Sequence, residues 1–157
     1  MDKSTQKVMF SSESVDWATP IGFYEELNKR YGFTLDPCAD AENAKCVRYF
    51  SKADDGLSKS WGGETVFCNP PYGREIKWWI KKAYEESLKP DTTVVMLIPS
   101  RTDTAYWHDY VMRAQEIAFV RGRLKFGGSP NPAPFPSAVV VFSSIVAPRL
   151  TAIDAAI

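Results

Sequence analysis

Apolar residues in this chain fall into two kinds of pattern. Short continuous runs of strand length occupy residues 65–68, 93–98, 116–120 and 137–143. Stretches with helical spacing lie between them. Residues 93–98 show no polar alternation and are rich in β-branched side chains, which predicts a central strand covered on both faces. Ile21, Tyr24, Leu27 and Tyr31 recur at helical spacing, with Thr19 placed to cap the helix, Pro20 at its first position and Gly32 as its stop. Residues 74–89 form a second amphipathic pattern, with Ile76, Trp79, Ile80, Ala83, Tyr84 and Leu88 on one side and Pro90-Asp91 ending it. Trp78 and Trp79 read as packing residues of that helix. Residues 103–113 predict a third helix, residues 33–35 and 47–50 short strands, and residues 124–126 a further late strand before a Gly- and Pro-rich loop at 127–136. Residues 1–14 read as a loose arm, residues 15–146 as the single domain, and residues 147–157 as a frayed tail. Helices alternating with strands predict a three-layer α/β domain whose central sheet is mostly parallel, with a late antiparallel strand.

Bulk composition narrows the function without choosing it. At 157 residues with 45% hydrophobic content, the chain suits one domain with a real core. Its 19 basic and 19 acidic residues balance, so any nucleic-acid contact must come from local patches rather than net charge. Cys38, Cys46 and Cys68 form no CxxC pair, and His108 is the single histidine, so neither a metal site nor a disulfide framework is expected. No apolar run reaches membrane-spanning length and no leader-like start is present, which points to the cytosol.

The chemistry concentrates after the strand at residues 65–68, which opens directly onto Asn69-Pro70-Pro71-Tyr72-Gly73. An amide oxygen and a backbone carbonyl side by side make two acceptors, suited to holding an exocyclic amino group. Two prolines fix φ and remove competing donors, and a tyrosine ring offers a flat surface. A tight turn is the alternative reading. In an α/β sheet, ligands bind beyond the carboxyl ends of the strands. Asp36, which ends the short strand at 33–35, and Asn69 then share one rim.

Taken together, Asp16-Trp17-Ala18-Thr19-Pro20, Leu35-Asp36-Pro37-Cys38-Ala39, Asp55-Gly56-Leu57 with Trp61, Asn69-Pro70-Pro71-Tyr72, Ile98-Pro99-Ser100-Arg101-Thr102-Asp103 and Gly122-Arg123-Leu124-Lys125-Phe126 resemble the phage-type DNA N6-adenine methyltransferases. The resemblance covers roughly residues 16–142, nearly the whole chain. It implies a Rossmann-like methyltransferase fold, S-adenosyl-L-methionine as cofactor, DNA as partner, and a phage or prophage enzyme working in the cytoplasm of a bacterial host. Asn69 and the Pro70 carbonyl would orient the adenine N6 amine, with Pro71 stiffening the turn, and Tyr72 would stack on the extruded base. Thr19, Pro20, Asp36, Pro37, Cys38 and Asp55 would bind the cofactor, Asp36 at its methionine end and Asp55 at its adenosine. Thr19-Pro20 also reads as a capped helix start, and Asp55 as a turn residue. The segment after Asp36 lacks the glycine-rich loop that many methyltransferases carry there.

Arg101 and Asp103 follow the strongest strand and either line the site or cap the next helix. Arg121, Arg123 and Lys125 form a basic cluster beside glycines, either solvated surface or a contact to DNA phosphates. Phe126 or Phe135 offers a second face for the base, with core packing as the alternative. Two readings compete with DNA adenine methylation: the same chemistry on an RNA adenine or a protein glutamine amide, and a non-catalytic nucleic-acid-binding relative. Target sequence and oligomeric state are not encoded in these patterns.

Overall fold

The computed structural model describes residues 18–144 and 149–156. The arm at 1–14 and the Asp16-Trp17 pair of the first motif lie outside the described residues. Among the described residues five strands form one sheet: β1 (Thr65–Cys68), β2 (Thr93–Pro99), β3 (Glu116–Arg121), β4 (Ser137–Phe142) and β5 (Arg149–Asp154), in the spatial order β1-β2-β4-β3-β5. β1 and β2 pair in parallel, as do β3 and β5. Both pairings of β4 are antiparallel.

The sheet is therefore mixed, which corrects the expectation of a mostly parallel one. The late antiparallel strand exists, and it inserts between β2 and β3. Half of the strand pairings are antiparallel in consequence. β2 and β4 are buried almost throughout, as their unbroken apolar runs require. A second correction concerns the C-terminus. Arg149–Asp154, expected to fray, pairs along its whole length with β3 from Glu116↔Arg149 to Arg121↔Asp154.

Among the described residues three α-helices accompany the sheet: α1 (Ile21–Tyr31), α2 (Ile76–Ser87) and α3 (Ala105–Asp109). Phe67 and Phe142 sit on opposite faces, because Phe67 aligns with Val95 and Val141 while Phe142 aligns with Val94. Tyr24 of α1 meets Phe67 edge-on at 5.1 Å, and Tyr84 of α2 meets Phe142 at 6.1 Å. α1 and α2 thus cover opposite faces, giving the three layers expected. α1 stops at Gly32, whose left-handed backbone (φ 68°) lets its N–H reach the Asn28 carbonyl.

Elsewhere local context overrides the pattern. Residues 103–113 break into the short α3 and a 3₁₀ turn (Val111–Arg113), and Phe126–Gly128 is a 3₁₀ turn with no strand at 124–126. The short strands at 33–35 and 47–50 reduce to single bridges, Leu35↔Val66 and Asp36↔Tyr49. Trp79 packs in the core, whereas Trp78 is 53% exposed with the Lys77 ammonium 5.0 Å over its ring. Among the described residues no helix is long and apolar enough to cross a membrane.

Candidate active site

The Leu35↔Val66 bridge sets the end of the residue 35–36 bridge beside the end of β1, so Asp36 and Asn69 emerge next to each other. Asn69 is held by two hydroxyls. Its Nδ2 donates to Thr19 Oγ1 at 3.1 Å, and its Oδ1 accepts from the Tyr72 hydroxyl at 2.8 Å. That hydroxyl also lies 3.2 Å from the Leu97 carbonyl of β2. Burial raises the Tyr72 pKa well above the ordinary phenol value, so the group remains a donor. One proton stands between two acceptors, and it can turn toward Leu97 when another donor reaches Asn69.

Thr19 does not cap α1. Pro20 occupies the cap position, with no side-chain cap bond, and the buried Thr19 hydroxyl serves Asn69 instead. The helix start and the proline motif, 50 residues apart in sequence, are thereby joined.

Asp36 is 4% exposed, and its carboxylate accepts the backbone N–H groups of Cys38 and Lys45, each at 3.3 Å. Burial outweighs those donors and pushes its pKa up to about 7. Burial likewise pushes the neighbouring Cys38 thiol up to about 12, which makes it inert as a nucleophile.

Three cavities meet the Asn69–Tyr72 quartet. One of about 230 Å³ takes in Pro71 and is walled by Pro37, Cys38, Phe50, Leu57 and Trp79, with the carboxylates of Asp40, Asp55 and Glu75 on its lining. A small one of about 20 Å³ lies among Thr19, Asp36, Cys38, Lys45 and Asn69. The third, about 220 Å³, is lined by Tyr72, Ile76, Pro99, Arg101, Tyr106 and Phe135. Cys38 lines both the first and the second, and Pro71, Asn69 and Tyr72 each line a different one.

The first cavity owes its shape to a glycine that comes from elsewhere in the chain. A Cβ on Gly56 would lie 2.1 Å from the Pro37 carbonyl oxygen, so only glycine lets these segments touch. The Gly56 carbonyl accepts from the buried Trp61 indole at 3.0 Å, and Trp61 stacks on Trp79. Asp55 stands just before it in left-handed backbone (φ 56°), exposed at the cavity. It is both the turn residue and a lining residue.

The remaining candidates divide. Arg101 lines the third cavity. Asp103 is exposed and lines none of the three; the cap of α3 is Thr104, which accepts from the Trp107 N–H. Arg121, Arg123 and Lys125 are exposed, and Arg123 is tied by its guanidinium to the Ala133 carbonyl at 3.1 Å. Phe126 is buried and packs edge-on against Tyr72, while Phe135 reaches the third cavity. Pro20 is half-buried at the head of α1, and Pro70 is buried. Glu75, Thr104 and Tyr106 are lining residues that the sequence patterns did not single out, whereas Gly56 stands in the Asp55-Gly56-Leu57 motif.

Residues 7–145 match the family described as DNA N-6-adenine-methyltransferase (Dam). The chain belongs to this family. It is a family of adenine-specific DNA methyltransferases, and the match takes in all three cavities. Among its relatives, the DNA N-6-adenine-methyltransferase of Escherichia phage T1 is 33% identical over 110 residues, 69% of this chain and 45% of that protein. The DNA N-6-adenine-methyltransferase of Haemophilus phage HP1 is 30% identical over 122 residues, 76% of this chain and 68% of the relative. A protein of Escherichia coli K12 named as the putative methyltransferase YfdM is 35% identical over 63 residues, covering 36% of this chain. The chain thus spans less than half the length of the phage T1 relative within this Dam family.

Proposed function

We propose that the chain transfers a methyl group from S-adenosylmethionine to the N6 amine of adenine in DNA. The observation that carries this is the half-buried Asn69 amide, bracketed by the Thr19 and Tyr72 hydroxyls, in a quartet whose members line all three cavities.

The lone pair of an arylamine is delocalised into its ring, which makes it a poor nucleophile. Asn69 Oδ1, together with the Pro70 carbonyl, accepts the two amine hydrogens and favours the tetrahedral nitrogen that frees the pair. This is positioning and electrostatics. As the amine donates to Oδ1, the Tyr72 proton turns to the Leu97 carbonyl, so Asn69 keeps a full set of partners without moving. The extra proton on the methylated nitrogen leaves to water.

The cofactor fits the donor set of the first two cavities. Apolar walls at Phe50, Leu57 and Trp79 suit a flat ring, and carboxylates at Asp40 and Asp55 suit hydroxyl and amine donors. When bound, S-adenosylmethionine supplies a methyl group on a positively charged sulfur. Asp36, buried beside Asn69, favours positive charge there and becomes the carboxylate as that charge arrives. Tyr72 and the third cavity receive the base, and the exposed Arg121 and Lys125 neutralise phosphates, giving affinity that falls with salt.

The test is incubation with isotopically labelled S-adenosylmethionine and DNA, RNA or cell protein, followed by nucleoside analysis. N6-methyladenine in DNA is the expected product. Label confined to RNA or to protein glutamine would replace the substrate, and no label anywhere would remove the activity.

A further inference from the structure

We propose that Tyr106 is a substrate-contact residue, whose ring forms a wall of the cavity that Tyr72 also lines and holds the extruded adenine in place. The inference rests on the reading of this cavity as the base site. Tyr106 is half-buried and lines the cavity together with Ile76, Pro99 and Phe135. An unstacked base leaves a duplex at a cost, and flat aromatic walls recover part of it. Phe126 does not line this cavity. That leaves Tyr106 and Phe135 as the aromatic residues that line it with Tyr72.

Tyr106 sits on a segment that is braced from end to end. Arg101 N–H donates to the Pro99 carbonyl at 2.9 Å, and Thr104 Oγ1 donates to the Arg101 carbonyl at 2.7 Å. Thr104 also caps α3 by accepting from Trp107 N–H, and Trp107, the next residue after Tyr106, is anchored in the core. His108 Nε2 reaches back to the Thr102 carbonyl at 2.8 Å. Ser100 N–H donates to the Pro136 carbonyl at 2.9 Å, joining the segment to the loop that carries Phe135. The wall is therefore set before the base arrives, which lowers the cost of ordering it on binding. Trp107, the next residue, is enclosed in the core. Tyr106 presents surface to the cavity instead, and burial raises the pKa of its hydroxyl against the opposing effects of Thr104 and the nearby Arg101.

Steady-state methylation of unmethylated bacterial genomic DNA tests this, with kcat and KM for DNA measured separately and cofactor affinity followed by calorimetry. Tyr106→Ala should lower kcat/KM by about tenfold or more, as expected for one lost stacking surface, mainly through KM. Tyr106→Phe and Tyr106→Trp, which keep a flat ring, should stay within about threefold of the parent on the same argument. Cofactor affinity and melting temperature should be unchanged in the ring-retaining variants. Parental kcat/KM in Tyr106→Ala overturns the proposal, and so does an equal loss of activity and cofactor affinity in all three variants, which marks a packing residue. If the parent itself leaves DNA unmethylated, the functional reading fails first and this inference falls with it.

Discussion

Asn69 and Asp36 stand at neighbouring strand ends, yet they are held by opposite means. Asn69 is bracketed by hydroxyls, Thr19 on one side and Tyr72 on the other. Asp36 is held by backbone N–H groups of Cys38 and Lys45. A hydroxyl can give or take a hydrogen bond, so the partners of Asn69 can re-pair around an incoming donor without any heavy atom moving. A backbone N–H can only donate, and it favours the carboxylate against a burial that disfavours it. One strand end can re-pair around a donor, and its neighbour is a carboxyl whose pKa burial pushes up to about 7.

The largest test of that contrast removes the acceptor. Asn69→Ala should change cofactor affinity far less than it slows methyl transfer, by on the order of a hundredfold to a thousandfold, the usual effect of losing a preorganised hydrogen-bond partner at the reacting centre. Single-turnover kinetics with calorimetric cofactor binding separates the two. Parental turnover in that variant reduces the quartet to a turn. Gly56→Ala works on the Asp36 side. A Cβ placed on the Pro37 carbonyl must push the two segments apart, at about 1–3 kcal/mol of stability. Denaturant unfolding should show that loss, together with weakened cofactor binding.

A smaller effect tests the hydroxyl bracket. Thr19→Val keeps the shape and removes the acceptor of the Asn69 N–H, which should lower turnover by roughly tenfold for one buried hydrogen bond. Thr19→Ser should restore it. If Val and Ser behave alike, Thr19 is only filling space.

The mildest effect is a slope with pH. Asp36 titrates near 7 in the folded chain against an ordinary value of 3.8. Between those values the folded protein keeps a proton that the unfolded chain has lost, so this group makes stability fall as pH rises, levelling off above about 7. Its surroundings are Lys45, Asp40, Cys38, Cys46 and Tyr24. Asp36→Asn should flatten that slope in thermal melts from pH 4 to pH 8. A bound cation should reverse the preference, so cofactor affinity should rise with pH through about 7 and binding below it should release a proton, visible by calorimetry in buffers of different ionisation heat.

Much of this was legible along the chain, and the failures have identifiable physical causes. β1, β2 and β4 were readable because they are buried on both faces and thus apolar without interruption. The quartet was readable because a turn alone does not require two prolines, an amide and an aromatic together after a strand. The insertion of β4 between β2 and β3 was not, since strand order depends on which edges meet in space. β5 escaped because Arg149, Thr151 and Asp154 dilute its apolar signal at a sheet edge. Thr19 looked like a cap because its value lies in a partner 50 residues away. Trp78 and Trp79 are adjacent in sequence, so only one of them can face the core from a helix. Tyr106 was hidden in a helical pattern, and nothing local distinguishes an aromatic residue that packs from one that lines a cavity.

The place of β5 has a practical bearing on how the protein is handled. It forms one margin of the sheet and covers the full length of β3, a strand whose Phe119 is already 40% exposed. Trimming the chain after Phe142 to obtain a smaller catalytic unit would strip β3 of its ladder on that side and leave a naked strand edge, an invitation to pair with other copies. Affinity tags and fusions are better joined beyond Asp154 by a linker than grafted into the segment that leads to it.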